Sequence, residues 1–312
     1  MTAEALARDL AALLGPAAAG RVFANEPMDR RTTFRVGGPA DAFVSPASTL
    51  EIAAVLRFCR ERGVPLTLLG NGSNVVVSDR GIRGAVLALG EDFARIEEGE
   101  RGEGFREVHA QAGARLAVLA AFAGRLGLSG LEALSGIPGT VGGALRMNAG
   151  AYEHCMQEVV VRTEALDADG TAHAVEGAAH RFGYRASVFE DRGLIAARTT
   201  VRLAVDDPKR IAERTADYGQ RRRASQPLDL PSAGSVFRRP PGHYAGRLIE
   251  EAGLKGVSLG GAQVSPKHAG FIVNAGGATA ADVRGLMEQV RRTVEQRTGV
   301  RLEPEILFLG EW

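Results

Sequence analysis

Long apolar runs are missing from this chain: no stretch reaches the roughly 18 residues that a membrane-crossing helix needs. Cysteine is nearly missing as well. The two present, Cys59 and Cys155, are far apart and in no metal-ligand spacing. A reduced, cytoplasmic setting with buried thiols is expected. Neither sign of charge dominates, the net being +1, so no general affinity for nucleic acid or bilayers is expected; local basic patches suffice for small anions. The zinc-protease pattern HExxH and the lysine of a phosphate-binding P-loop are absent, and no G-x-S-x-G hydrolase elbow surrounds Ser235. The six histidines are scattered, which leaves no metal cluster and no histidine-based triad to build on. The opening MTAEALARDLAALLG carries Glu4, Arg8 and Asp9 where a secretion leader needs unbroken apolar sequence.

What is there is ordinary globular composition, 45% hydrophobic and 24% charged over 312 residues, too long for one core and enough for two or three folding units. Leu6, Leu10 and Leu13 stripe a first helix. Ser48 and Glu51 begin a second, with Ile52, Val55, Leu56 and Cys59 on its face and Gly63 at its stop. Strands are expected at 64–69, 75–78, 85–89, 108–112, 158–167, 171–175 and 194–205, with a hairpin turn at 167–170. Residues 91–106 read as a surface hairpin or loop, and Leu116, Leu119, Ala120 and Ala123 as a helix face. Residues 129–151 show no periodicity and read as one long loop. Beyond Asp207-Pro208, helices are expected at 208–223, 244–252 and 279–298, with strands at 259–264, 270–274 and 305–309. Strands and helices mix without regular alternation, so the class is α+β.

Five segments can carry chemistry. Gly70-Asn71-Gly72-Ser73-Asn74 lies between two strands, where glycine lets main-chain N–H groups approach a pyrophosphate. Alone it reads first as a tight turn, since a strand rather than a helix follows it. The run Ile137-Pro138-Gly139-Thr140-Val141-Gly142-Gly143, continued by Asn148 and Ala149, offers many unhindered amides against an apolar wall. Two such loops in one chain favour a shared phosphate-bearing cofactor. Ser235 sits in a glycine turn ahead of Arg238 and Arg239, which could grip phosphates or face solvent. Arg185, beside Tyr184, lies among aromatic and apolar residues and wants an anion, from the protein or from a ligand. Glu305 precedes an apolar run, at a strand end.

Together these segments resemble the UDP-N-acetylenolpyruvoylglucosamine reductase family. The likeness is carried by TTFRVGGPAD (32–41), LGNGSNVVVSDRGIRGAVL (69–87), GLEALSGIPGTVGGALRMNAGAY (130–152), FGYRASVF (182–189), the 226–256 stretch with PSAGSVFRRPPGHYAG, the 260–283 stretch with SPKHAGFIVNAGG, and LEPEILFLG (302–310). Each is weak alone; the ordered set is specific. The chain departs from the family at Ala186 and Gly270, where polar residues are common.

The resemblance implies a two-subdomain FAD-binding domain of the vanillyl-alcohol-oxidase (PCMH) type, followed by a smaller α+β substrate-binding domain. The expected division is 1–84, 85–206 and 207–312, with 302–312 the strand that could return toward the flavin. It implies noncovalent FAD, held by residues 70–74, 137–143, 148 and 149, and NADPH as cosubstrate. The substrate would be a UDP-sugar in peptidoglycan precursor synthesis, contacted by Arg238, Arg239, Tyr184 and Gln263. No nucleic acid, membrane or obligate protein partner is implied. The compact stretch 190–206 points to the family's shorter, type II form. By the same match Ser235 is the proton donor, and Arg185 and Glu305 stabilise the enolate-like intermediate, all three converging over the flavin. A flavin oxidase on the same scaffold would lack the PSAGSVF and LEPE segments, and a mere sugar-nucleotide binder would not need Ser235, Arg185 and Glu305 together.

Overall fold

The computed structural model describes residues 1–312. Contacts divide the chain into two units. The first comprises 1–24, 42–71 and 84–222; the second comprises 25–41, 72–83 and 223–312. This differs from the three contiguous segments expected at 1–84, 85–206 and 207–312. The physical reason is pairing between segments distant in sequence. Val75–Val77 runs parallel to the last strand, Leu307–Leu309. The Thr33 hydroxyl donates to the Ser232 carbonyl at 2.7 Å, and the Asn274 amide donates to the Phe34 carbonyl at 3.4 Å.

The first unit is built on an antiparallel sheet ordered Ala172–Glu176, Val160–Leu166, Ile195–Val205, Phe105–Gln111 and Ile96–Gly102. Ile195–Val205 is its centre and also pairs with Leu128–Ser129. The 91–106 stretch supplies one arm of a hairpin whose charged residues face outward, as its polar composition requires. A second sheet is ordered Val22–Pro27, Pro39–Val44, Ile82–Ala88 and Leu66–Leu69; its first two strands have no counterpart in the sequence reading. The helices Ala3–Leu14 and Thr49–Glu61 bury the predicted stripes, Leu6 and Leu10 on one and Ile52, Val55, Leu56 and Cys59 on the other. Burial pushes the Cys59 thiol up to about 11, which leaves it an inert core group.

The 129–151 region is not one structureless loop. It contains a turn of 3-10 helix at Glu132–Leu134 and a six-residue helix, Val141–Arg146, capped by Thr140. Six residues are too few for a periodic signature, so the pattern was silent there.

The second unit has its own core. An antiparallel sheet ordered Ser232–Ser235, Phe271–Asn274, Ala262–Val264 and Ser258–Leu259 shares it with the helices Ala245–Glu251 and Ala280–Thr298. The longer helix buries the expected Val283, Leu286, Met287, Val290 and Val294. Thr279 and Asp282 close a reciprocal capping box at its start. The Asp79 carboxylate accepts the Ala280 and Ala281 N–H groups at 2.8 and 2.9 Å, which favours the positive helix end.

Candidate active site

In the second unit, main-chain hydrogen bonds bring Ser235 and Glu305 onto neighbouring segments. Gly234 takes φ 76°, a conformation glycine adopts without a Cβ penalty. It lies where the register of Ser232–Ser235 slips against Phe271–Asn274. Val236 N–H then donates to the Gly270 carbonyl at 3.0 Å. On the other side, Glu305 N–H donates to the Val236 carbonyl at 2.9 Å and Arg238 N–H to the Glu303 carbonyl at 2.8 Å. An isolated bridge joins Phe237 to Pro304. Val236, Phe237, Leu302 and Ile306 are buried in the core and lock this register, while Ser235 and Glu305 stay half-buried.

Asn74 braces the same place. Its side-chain amide donates to the Glu305 carbonyl at 3.1 Å, and its own carbonyl accepts Leu307 N–H at 3.0 Å. The residue expected to contact the cofactor thus spends its amide on the segment bearing Glu305. Arg238 is half-buried, and its Nε is buried without a partner within the chain. Arg239 is exposed, its guanidinium 3.9 Å from the centre of the Tyr244 ring. The Gln263 amide donates to Gly256 and Ser258, closing a hairpin, so this donor is committed to the fold rather than to a substrate.

In the first unit, Arg185 is at the tip of a tight turn. Gly183 and Ala186 exchange main-chain bonds of 3.0 and 3.3 Å, leaving Tyr184 and Arg185 outside. Arg185 has φ 55°, in the left-handed region where a turn's third position favours glycine. Its guanidinium lies 5.1 Å from the centre of the Tyr184 ring, which is 57% exposed. Side chains hold the turn. The Asn148 amide donates to the Gly183 carbonyl at 3.1 Å, and its oxygen accepts Gln157 N–H at 3.0 Å. The buried Ser187 hydroxyl donates to the Arg146 carbonyl at 2.8 Å. Asn148, expected as a cofactor contact, therefore uses both ends of its side chain inside the protein. No local pattern marks it or Ser187 as anchors.

The two glycine-bearing loops approach each other within the first unit. The Asn71 amide donates to the Pro138 carbonyl at 2.5 Å. A Cβ on Gly70 would lie 2.5 Å from the Thr140 hydroxyl, so only glycine fits. Fewer amides are open than expected: Val141 and Gly142 donate to the Ala114 and Ala112 carbonyls, and Gly143 to Thr140 Oγ1. Ala149 N–H is likewise spent, on the Ala144 carbonyl. Within the first unit the N–H groups of residues 70, 71, 139 and 140 are not consumed by the fold, and unspent amides suit a diphosphate; those of 72–74, in the second unit, are likewise unspent. Arg222 was not singled out from sequence; it packs where a side chain at Gly136 would sit, and burial draws its pKa down.

Comparison with known proteins extends these observations. The family described as UDP-N-acetylenolpyruvoylglucosamine reductase, C-terminal domain, matches residues 226–309, and the family described as FAD binding domain matches 40–176. The chain is 44% identical over 292 residues to the UDP-N-acetylenolpyruvoylglucosamine reductase of Caldanaerobacter subterraneus subsp. tengcongensis, covering 94% of this chain and 95% of that protein. It is 46% identical over 306 residues to the protein of that name from Moorella thermoacetica, covering 97% and 99%. The crystal structure of the Thermus caldophilus UDP-N-acetylenolpyruvylglucosamine reductase superposes with a TM-score of 0.76 at 35% identity, over 92% of this chain and 98% of that one.

Proposed function

The chain belongs to the UDP-N-acetylenolpyruvoylglucosamine reductase family of FAD-dependent oxidoreductases, and on that premise we propose that it reduces UDP-N-acetylenolpyruvoylglucosamine to UDP-N-acetylmuramate, with NADPH as the reductant and Ser235 as the proton donor. The observation that carries the residue assignment is the Glu305 N–H bond to the Val236 carbonyl, which sets the hydroxyl of 235 and the carboxyl of 305 on adjoining segments.

When bound, FAD would supply hydride-transfer chemistry between NADPH and the enol ether. The protein does the rest. The carbon beside the substrate carboxylate becomes enolate-like and strongly basic. Ser235, a feeble acid in water, can then give up its proton downhill and recover it from solvent. Charge developing on the substrate carboxylate needs a fixed cation. Arg185 meets that need with a guanidinium that does not lose its proton. Glu305 assists as a hydrogen-bonded carboxyl group. Residues 70–74 and 139–140 bind the cofactor diphosphate through their unspent amides, and Gly70 keeps the approach open. Arg238 and Arg239, with Tyr184 on the first unit, are assigned to the UDP portion. The buried, unpartnered Nε of Arg238 favours a bidentate phosphate contact. No helix is long and apolar enough to cross a membrane, and the proposed reaction draws on cytoplasmic NADPH.

The test separates the half-reactions. Under anaerobic conditions NADPH should bleach the yellow protein, and the enolpyruvyl sugar nucleotide should restore the colour. Ser235→Ala should leave bleaching intact and slow recovery by about 10²–10⁴. Bleaching without substrate-driven recovery in the unmodified protein would remove the assignment.

A further inference from the structure

The turn carrying Arg185 rests on a buried polar cluster that the reaction itself does not use. His180 is 0% exposed. Its Nδ1 lies 2.9 Å from the Gly177 carbonyl. A carbonyl only accepts, so Nδ1 carries the proton. Burial holds the imidazole below its ordinary range, against the opposing pull of the Gly177 carbonyl and Glu176. In this neutral form Nε2 accepts, and the Thr163 hydroxyl lies 3.0 Å away to donate. Thr163 faces Thr199 on the adjacent strand, their hydroxyls 3.1 Å apart; with its own proton given to His180, Thr163 accepts from Thr199, whose Oγ1 also lies 3.1 Å from the Arg162 carbonyl. The cluster is thereby bolted to the two central strands of the large sheet.

The ring is bolted to the turn as well. It stacks on Phe182 with centroids 5.0 Å apart and planes 7° from parallel, and it leans on Phe189 at 6.0 Å. Phe182 immediately precedes Gly183, the first residue of the turn. Between His180 and Phe182 stands Arg181 with φ 50°, a second non-glycine residue in the left-handed region before Arg185 at 55°. Each such residue is strained by its Cβ and persists only where its surroundings over-determine it. A fully satisfied buried polar network enforces one arrangement where an apolar cluster would tolerate several.

We propose that His180, held by Thr163 and Thr199, is a positioning residue for Arg185, fixing the stem of the turn so that the guanidinium meets the anionic intermediate in one orientation. The inference rests on the assignment of Arg185 as stabiliser of that intermediate. His180→Phe keeps the stacking ring and removes both hydrogen bonds; Thr163→Val removes only the hydroxyl that holds Nε2. In each variant, flavin reduction by NADPH should stay within about twofold. Reoxidation by the enolpyruvyl sugar nucleotide should slow by about 10–100-fold, the scale of a misplacement near 1 Å. His180→Asn, which restores a donor toward Gly177, should recover part of the loss. In an Arg185→Ala background His180→Phe should add nothing, because the two act through one group.

The outcomes distinguish the two levels. If Arg185→Ala leaves reoxidation at the unmodified rate, the assignment of Arg185 fails. If Arg185→Ala slows reoxidation but neither His180→Phe nor Thr163→Val does, the positioning inference alone fails. It is equally overturned if those variants slow both half-reactions in step with a lowered melting temperature, or if their effects add fully to that of Arg185→Ala.

Discussion

Ser235 and Glu305 are held by the main chain, whereas Arg185 is held by side chains. In the second unit the Val236–Gly270, Glu305–Val236 and Arg238–Glu303 bonds form a ladder that any residue with an N–H could make. In the first unit the Arg185 turn has one pair of main-chain bonds of its own and depends otherwise on side chains, Asn148 and Ser187 among them. A ladder is indifferent to its neighbours' side chains but fails when the backbone is forced out of path. A clamp survives small backbone shifts but fails when one amide or hydroxyl is lost. The two halves of the proposed site should therefore break in different ways.

The largest expected effect comes from forcing the backbone of the second unit. Gly72 has φ 61°, and a Cβ there would run into the Arg31 carbonyl, well inside contact distance. Its own carbonyl accepts Thr33 N–H at 3.0 Å, so retreat breaks a bond. Gly72→Ala should cost about 2–3 kcal/mol, adding clash to left-handed strain, read as a lowered denaturation midpoint together with loss of bound flavin. A variant of unchanged stability would show that this backbone gives way more readily than a ladder should.

Next in size is a buried side-chain anchor of the first unit. Glu132 is buried and accepts from Gly130 N–H, the Ser129 hydroxyl and Arg214, which also pairs with Asp206. Desolvation alone would raise its pKa, but the Gly130 N–H, Arg214 and Ser129 together outweigh it and hold the carboxyl below its usual range. Glu132→Gln should cost about 1–3 kcal/mol, below the full penalty of a broken buried pair because Arg214 keeps Asp206. The pH dependence has a definite sign. A depressed folded pKa gives stability that is present above the unfolded value, about 4.3, and lost as pH falls through the folded value. Urea titrations from pH 7 downward should show the gap between Glu132→Gln and the unmodified protein narrowing below about pH 4. A gap that widens there would reverse the reading.

How much of this was legible in the sequence follows the same division. The stripe Val283, Leu286, Met287, Val290 and Val294 announces its helix because local periodicity reports local structure. Nothing local reports that Val75–Val77 will pair with Leu307–Leu309; only the family resemblance suggests that 302–312 returns toward an earlier part of the chain. Ser235, Arg185 and Glu305 are proposed through a family resemblance, and Arg185 also stands out as a cation among aromatics. Its left-handed φ was invisible, since arginine does not advertise a turn position as glycine would. Asn74 and Asn148 were read as cofactor contacts because an amide looks alike whether it serves a ligand or a carbonyl of its own chain. The IPGTVGG amides were over-counted because Val141 and Gly142 spend theirs on the Ala114 and Ala112 carbonyls, distant in sequence, and Gly143 on the cap of a helix too short to see.

One chemical change made in both halves sharpens the contrast. Asn148 and Asn74 each donate an amide to a main-chain carbonyl, of Gly183 and Glu305 respectively, at 3.1 Å. Replacing either by aspartate sets an anion against that carbonyl. At Asn148 the turn loses a clamp, and sugar-driven reoxidation should slow by about tenfold, the scale of one lost hydrogen bond. At Asn74 the Glu305–Val236 and Leu307–Asn74 bonds remain, and the slowing should stay near about twofold. Equal effects in rapid-mixing measurements would erase the distinction between ladder and clamp.

The smallest effect is expected where a pKa shift is among the largest. Arg291 and Arg292 hold the Glu288 carboxyl down to about 2, on the outer side of the long second-unit helix. By linkage this favours the folded state at neutral pH and fades as pH falls from the ordinary carboxylate range toward 2. The group is open to water, however, and its partners are one turn away on the same helix, so solvent and salt screen the pairs and the unfolded chain can remake them. Glu132 differs in being desolvated and in joining segments far apart in sequence, which the unfolded chain cannot mimic. Glu288→Gln should therefore leave the denaturation midpoint unresolved from the parent at physiological salt, with at most a small drop at low salt. A drop as large as that of Glu132→Gln would mean that proximity of charge, rather than burial and long-range connection, decides which side chains hold this fold.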